Sequence, residues 1–242
     1  MSPIEEHGSL WVFDPKDKSW SRIAPKDETK PYPQGRSYHA VTDDGKDTIF
    51  VHAGCPEKGR LSDLWAFSLS DRAWKQLASG PDPARGGPSI AFFDGKLFRL
   101  NGFDGKTEQG GSLDIYDIGT DTWTTVKYTA DGVAGPSARS VSCLLALDIS
   151  GRPSLVTMFG EHDPSNLGHQ GAGKMLDDVW MWDIQSQNWT KLAITGATFP
   201  PARGWFDAGV YQTTPNPSIV VQGGLAESNE RLDDLFLLEF ES

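Results

Sequence analysis

A run of side chains able to bind a metal lies in residues 160–173, which read GEHDPSNLGHQGAG. Glu161, Asp163 and His169 offer carboxylate oxygens and an imidazole but no thiolate, and such a set suits iron(II), manganese or zinc better than copper(I). One histidine with carboxylates and open coordination positions is compatible with a non-haem iron(II) centre. An acidic protein also places Glu, Asp and His in a polar loop by chance, so a simple polar connection is the alternative interpretation.

Three recurring sequence templates predict the scaffold that carries this loop. The first is an apolar strand, a polar turn and a Trp, found as LWVFDPKDKSW (10–20), LWAFSLSDRAW (64–74), LDIYDIGTDTW (113–123) and VWMWDIQSQNW (179–189). The second opens with an arginine, at Arg36, Arg85, Arg139 and Arg203, with spacings of 49, 54 and 64 residues. The third is an apolar run ending in Gly, at 48–54, 96–102, 155–160 and 218–224.

Each repeat therefore predicts four short strands, named here a (after the Arg), b (ending in Gly), c (the apolar strand) and d (starting at Trp). Four short strands in roughly 50 residues are typical of kelch repeats, whose architecture is a β-propeller. We predict an all-β fold, a kelch-type β-propeller of four-stranded antiparallel blades. Most of the nine tryptophans are expected to fill the core between blades.

The repeats divide a single domain, residues 1–242, into about four to five blades. Complete repeats are predicted at 36–83, 85–127 and 139–193, two strands of an incomplete N-terminal blade at 8–24, and a C-terminal blade lacking its last strand at 203–242. Because an open ring exposes strand edges, we expect one or two further blades upstream of Met1. Alternatively, the strand at Trp20 completes the last blade of a four-bladed ring.

Strand direction alternates within a blade, so the b–c loops and the d-to-a connections share one face of the propeller. This face would carry the loop 160–173 together with the four template arginines, Arg36, Arg85, Arg139 and Arg203. Arginine binds carboxylate and sulfate groups bidentately, so these residues are candidates for binding an anionic substrate. The alternative is that they hold the blades together by pairing with loop carboxylates, for which the candidates are Asp63, Asp177, Asp178, Asp233 and Asp234.

Charge and composition exclude several classes of partner. A net charge of −11 repels phosphate backbones and anionic lipid, so we expect neither nucleic acid nor a membrane as partner. The N-terminus lacks a basic segment followed by an apolar one, as a signal peptide would have. The two cysteines lie 88 residues apart and provide no disulfide framework, so a cytoplasmic location is expected.

Several stretches resemble the plant specifier proteins of the glucosinolate–myrosinase system, which include nitrile-specifier, epithiospecifier and thiocyanate-forming proteins. The similar pieces are 84–105 (ARGG, GKLF and NGFDG), PSARSV (136–141), FGEHDPSNLGHQGAGKMLDD (159–178), ARGW (202–205) and GGLAESNERLDDLFLLEFES (223–242). The resemblance implies a six-bladed kelch propeller, and it supports the expectation of upstream blades.

The resemblance also implies a cofactor, Fe(II), and an activity. The family's ligands form a Glu-x3-Asp-x3-His run, matched here by Glu161 and His169, whereas the middle position falls on Ser165. Asp163 could replace the missing carboxylate, water or substrate could fill the position, or the site could be lost. The implied activity is lyase-like: it directs a thiohydroximate-O-sulfate to nitriles, epithionitriles or thiocyanates, with Arg85 and Arg139 best placed to hold the sulfate.

Two other functions compete with this one. A non-catalytic kelch scaffold would bind a protein or peptide partner through the same face, and fold alone does not decide between the two. A copper radical oxidase on a kelch-like propeller is disfavoured, because histidines are scarce and no Tyr–Cys arrangement stands out.

Overall fold

The computed structural model describes residues 3–164, 171–196 and 198–240, and the regular elements in that part of the chain are all β-strands. The chain opens with a hairpin of β1 (Leu10–Asp14) and β2 (Ser19–Ile23), which pair with each other in a sheet of their own. The strand at Trp20 therefore does not complete the last blade. In the described residues, no helix is long and apolar enough to cross a bilayer.

Three four-stranded antiparallel sheets follow, each in the predicted order a to d. The first is β3 (Ala40–Asp43), β4 (Thr48–Gly54), β5 (Leu61–Ser68) and β6 (Ala73–Leu77). The second is β7 (Ser89–Phe93), β8 (Lys96–Leu100), β9 (Ser112–Asp117) and β10 (Thr122–Lys127). In the third, β11 (Cys143–Ile149) and β12 (Arg152–Met158) are followed along the chain by a small hairpin, β13 (Glu161–His162) with β14 (Lys174–Met175), and then by β15 (Val179–Asp183) and β16 (Asn188–Leu192).

The last sheet has three strands, β17 (Asp207–Tyr211), β18 (Ser218–Leu225) and β19 (Arg231–Leu238). These sheets confirm the predicted all-β kelch propeller. One local difference concerns the loop 160–173, which the sequence analysis took as unpaired. Its first residues instead pair with the residues that follow it, in the β13–β14 ladder, where Glu161 lies opposite Met175 and His162 opposite Lys174.

Apolar side chains pack between successive sheets and hold the blades face to face. Phe50 and Leu64 of the first blade meet Leu97 and Tyr116 of the second. Leu100 of the second blade packs in one cluster with Leu155 and Trp182 of the third, and Val156 and Met158 meet Ile219 and Val221 of the last. The prediction that the tryptophans are core holds for Trp180 and Trp182, but it is wrong for Trp11 and Trp20 of the hairpin, which are 56% and 65% exposed.

Backbone hydrogen bonds also join neighbouring blades near the axis, two residues after each template arginine. The amide of Gly87 donates to the carbonyl of Tyr38, Val141 donates to Gly87, and Trp205 donates to Val141, at 2.8, 3.0 and 3.1 Å. The glycine ending each strand b makes a second set, in which Gly54, Gly102 and Gly160 donate to the carbonyls of Arg85, Arg139 and Arg203. The blades are thus linked by repeated main-chain contacts as well as by apolar packing.

The second blade replaces the first Trp of its template with Asp114, and a buried ion pair explains the change. Asp114 accepts hydrogen bonds from Arg99 Nε and Nη2, at 3.0 and 2.7 Å, and both side chains are almost fully buried. Arg99 Nη1 also lies 3.4 Å from Nε2 of the buried His52 of the first blade. Burial and the positive charge of Arg99 hold the pKa of His52 well below its ordinary value, so its ring is neutral at this blade junction.

Candidate functional site

Three of the four template arginines clamp their own blades. Arg36, Arg139 and Arg203 each make a two-pronged ion pair, with Asp63, Asp178 and Asp234 respectively, and the Nη2–Oδ2 distances are 2.8, 3.0 and 2.8 Å. Their side chains are at most 4% exposed. The predicted pairing with loop carboxylates is confirmed for these three, whereas Asp177 and Asp233 join no ion pair within the described residues.

Arg85 occupies the equivalent place in the second blade but forms no ion pair with a described residue. Its Nε donates to the carbonyl of Pro83 and its Nη1 to that of Asn101, both at 3.0 Å. The residue is 4% exposed. Anion binding by the four arginines stays a prediction, and in three of them the guanidinium is already occupied by an aspartate.

A pocket with a volume of about 170 Å³ opens where the b–c loops and the starts of the a strands converge. The lining residues come from all four blades: Tyr38, Cys55, Arg60, Gly86, Gly87, Phe103, Ser140, Val141, Glu161, Pro164 and Trp205. The walls are mainly apolar and aromatic, with one cation and one carboxylate among them. This is the combination expected of a small-molecule site.

Arg60 is the cation of the pocket, and the sequence analysis missed it because it lies outside the three templates. Its guanidinium carbon lies 5.9 Å from the centre of the Phe103 ring, in a cation–π contact. Nη1 donates to the carbonyl of Gly59, while Nε is buried and has no partner in the described residues. A buried, unused N–H beside the pocket is available to an anionic ligand.

Glu161 is the carboxylate of the pocket, and the β13 strand holds it there. Its backbone exchanges two hydrogen bonds with Ser140, and its Oε1 accepts from the amide of Gly173 at 2.7 Å. The residue is 6% exposed, and burial raises the pKa of its carboxyl group. The structure thus places Glu161 on the pocket wall, while its predicted role as a metal ligand stays a prediction.

Of the other two predicted metal ligands, only Asp163 lies in the described residues, and its side chain is not directed into the pocket with Glu161. Asp163 points outward, with a side chain 62% exposed, and its Oδ1 lies 3.5 Å from His162 Nε2. His169 and Ser165 lie outside the described residues. Within the described ranges no group of three or more His, Cys, Asp or Glu side chains could hold a metal ion. The described residues therefore do not by themselves fit an iron site.

A second buried acid, Glu108, lies behind the pocket wall and was also missed. Ser140 Oγ donates to its Oε1 at 3.1 Å, and its Oε2 is buried without a partner in the described residues. Burial raises the pKa of Glu108 to about 8, and the negative charges of Glu161, Asp104 and Asp163 contribute in the same direction. This residue sits in a turn-rich loop of the second blade, where nothing in the sequence indicates that it meets Ser140 of the third.

Glu108→Gln is expected to flatten the pH dependence of stability. A folded-state pKa of about 8, above the ordinary 4.5, gives stability that is complete below pH 4.5 and is lost as the pH rises toward 8. Above pH 8 the variant should therefore be more stable than the wild type, because it keeps a neutral group in the buried position. Urea unfolding from pH 5 to 9 measures the difference. Glu57→Gln, at an exposed loop position, is the control, and parallel profiles for Glu108→Gln and wild type would contradict the assignment.

A family model described as the KLHDC2/KLHL20/DRC7 Kelch-repeats domain matches residues 3–214. The chain belongs to the kelch-repeat family. In the structure this repeat appears as strands in the order a to d. An arginine precedes strand a, and a glycine near the end of strand b donates to the next blade.

Two known proteins are similar to this chain over long stretches. The chain is 25% identical over 263 aligned residues to N-(sulfonatooxy)prop-2-enimidothioate sulfolyase of Thlaspi arvense, covering 98% of this chain and 71% of the relative. It is 24% identical over 220 residues to host cell factor 2 of Homo sapiens, covering 83% of this chain but 26% of that protein. The predicted resemblance to specifier-type proteins is confirmed.

Proposed function

We propose that this kelch chain binds a small sulfated substrate in its pocket and directs the breakdown of a thiohydroximate-O-sulfate, or a similar compound, to a nitrile-type product. The observation that carries the proposal is Arg60, a cation on the wall of a small apolar pocket, whose buried Nε–H donates to no described residue. Similarity to a protein named for sulfolyase activity on an N-sulfonatooxy imidothioate supports the substrate class.

The size and walls of the pocket favour a small substrate with a short apolar group. Its volume of about 170 Å³ is below the ~300–1,000 Å³ of pockets that enclose drug-sized ligands. Phe103, Tyr38 and Trp205 provide aromatic surface for the apolar part. Arg60 lies beside Phe103, so it would hold the sulfate while the rings hold the side chain.

The reaction breaks two bonds, and Arg60 would assist one of them. Sulfate leaves with the electron pair of the N–O bond, the electron pair of the C–S bond becomes the third bond between carbon and nitrogen, and sulfur is released without charge. Negative charge grows on the departing sulfate, and a fixed guanidinium in a water-poor pocket stabilises that charge most in the transition state. Arg60 is accordingly the residue to which we assign leaving-group stabilisation.

Glu161 faces the same pocket, and a doubly charged substrate would be repelled by an ionised carboxylate there. A proton or a cation on Glu161 removes this repulsion. Iron(II) held by Glu161 with Asp163 and His169 is the cofactor that we propose, and when bound it would supply a Lewis acid for the thiolate sulfur. The described residues do not complete that ligand set. The role assigned to Arg60 does not depend on iron(II).

The product profile of myrosinase acting on a glucosinolate tests the proposal directly. We expect nitrile-type products when the protein and iron(II) are both added, and isothiocyanate alone when the protein is omitted. Metal analysis after anaerobic loading, on wild type and Glu161→Ala, tests the cofactor separately. An unchanged product profile at high protein concentration, with or without iron(II), would sink the proposed activity.

Arg60→Gln should lower the yield of nitrile-type product about tenfold, since a charge-assisted contact to sulfate contributes about 1.5–3 kcal/mol. Lys58→Gln removes the same charge from the same loop at an exposed position, and it should leave the yield unchanged. Equal losses in the two variants would show that net loop charge, rather than contact with the ligand, sets the yield.

A second candidate is a protein-binding scaffold without catalysis. The observation that favours it is the pair of aromatic side chains, Tyr38 and Trp205, in the pocket lining, together with similarity to host cell factor 2 over most of this chain. A basic peptide would be attracted by the net charge of −11, and an apolar peptide would pack against the two aromatic rings. Saturable peptide binding that Trp205→Ala abolishes, with no change in the product assay, would favour the scaffold over the sulfolyase.

A further inference from the structure

Ser112 of the second blade occupies the place of an aspartate in the other three blades. Strand pairing defines the equivalence, because Leu64, Leu113, Val179 and Leu235 each pair with the residue two positions before the glycine of strand b. The residues that precede them in the chain are Asp63, Ser112, Asp178 and Asp234. The three aspartates are the partners of the clamp arginines, so the second blade keeps the arginine and lacks the acid.

Arg85 is consequently a buried cation whose carboxylate is missing. It donates only to two main-chain carbonyls, and its Nη2 donates to no described residue. Asp114 does not substitute for the lost acid, because it pairs with Arg99. Asp104 and Asp114 act on Arg85 only from a distance, and neither forms an ion pair with it. The second blade thus buries two guanidinium groups for one paired carboxylate, a costly arrangement without a counter-ion.

A second cation lies next to Ser112, the residue that stands in the aspartate position. Lys127 lies opposite Ser112 in the β9–β10 pair, and its Nζ donates to Ser112 Oγ at 3.3 Å. In the first and third blades, strand d ends at Leu77 and Leu192, and the residue equivalent to Lys127 is the next one in the chain. These residues are Ala78 and Ala193. Loss of the acid therefore coincides with gain of a lysine and a hydroxyl. Together with Arg85, the second blade therefore has three groups that can donate hydrogen bonds to an anion.

We propose that the second blade binds a small carboxylate or sulfate-like oxyanion at Arg85, Ser112 and Lys127, in the position that an aspartate side chain fills in the other blades. The ligand would accept from Arg85 Nη2, as Asp63, Asp178 and Asp234 accept from their arginines, and from Ser112 and Lys127 at its other oxygen. The site is separate from the pocket of Arg60 and Glu161, since none of its three side chains lines that pocket. It therefore does not depend on the proposed sulfolyase activity.

Thermal unfolding in formate, acetate and sulfate, on the whole chain, tests the site. At a concentration ten times the dissociation constant, a bound anion should raise the unfolding midpoint by about 3 °C. Ser112→Asp supplies the missing carboxylate internally, so this variant should start at a higher midpoint and lose the part of the anion-dependent rise that comes from this site. General salt effects act equally on both proteins, so the difference between their rises reports the site alone.

Two further measurements separate the outcomes. Isothermal titration with formate should give one binding site in wild type, about tenfold weaker binding in Lys127→Ala, and none in Ser112→Asp. A short peptide with a free C-terminal carboxylate, compared with its amidated form, shows whether the carboxylate can belong to a partner protein or must be free in solution. Equal anion-dependent rises in wild type and Ser112→Asp, or titration without a saturable site, would overturn the proposal.

Discussion

Replacing Asp178 with alanine should lower the free energy of unfolding by about 3–5 kcal/mol, as is usual when one partner of a buried ion pair is removed. Arg139 has a fully buried side chain, and the change leaves its charge without a partner. Trp180 loses an acceptor as well, since its Nε1 donates to Asp178 Oδ2 at 2.7 Å. The thermal midpoint should fall by about 10 °C, measured by circular dichroism or calorimetry.

The two other clamps provide a graded control within the same chain. The side chains of Asp178, Asp63 and Asp234 are 8%, 17% and 31% exposed. Because water compensates an exposed charge, the cost of alanine should decrease in that order. Equal costs at all three positions would show that burial does not set the strength of the clamps, and a near-zero cost for Asp178→Ala would refute their structural role.

Gly160→Ala should be nearly as damaging, for a steric reason. Gly160 has a φ of +104°, and a Cβ added there would lie 2.7 Å from the carbonyl oxygen of Ser140. The backbone must shift, and both the interblade bond from Gly160 to Arg203 and the Ser140–Glu161 bridge depend on its position. We expect a loss of about 3 kcal/mol or more from strain and broken hydrogen bonds, together with weakened ligand binding in the pocket.

Gly151→Ala is the matched control for this prediction. Gly151 also has a positive φ, +78°, but an added Cβ would have no atom within 4 Å. It should cost only the ~1–2 kcal/mol of placing an L-residue in the left-handed region. Chemical denaturation of the two variants separates conformational strain from the clash, and equal losses would show that contact with Ser140 carries no extra cost.

The blades were predictable from sequence because each repeat encodes its strands locally. The arginine, the glycine and the tryptophan spacing recur at set positions within a blade, and they predict four antiparallel strands without knowledge of the ring. The error at Trp11 and Trp20 has a physical reason. These residues lie on a hairpin that pairs with no other strand in the described ranges, and their side chains stay exposed, whereas neighbouring strands cover Trp180 and Trp182.

The pocket was less predictable, because its polar residues come from loops of different blades. Arg60 and Glu161 are about 100 residues apart in the chain, and only the ring brings them to one cavity. Glu108 reaches Ser140 across a blade junction, which no local pattern records. The clamp arginines were recognisable as a set, but choosing between substrate and aspartate as their partner required the side-chain geometry.

The row of three main-chain hydrogen bonds near the axis joins the blades at residues that also face the pocket. The four residues joined by these bonds are Tyr38, Gly87, Val141 and Trp205, and all four also line the pocket. Because these three hydrogen bonds use only amide and carbonyl groups, side chains as different as two aromatic rings, an isopropyl group and a hydrogen atom occupy the four positions. Ligand selectivity can therefore change at these positions while the bonds between blades stay the same.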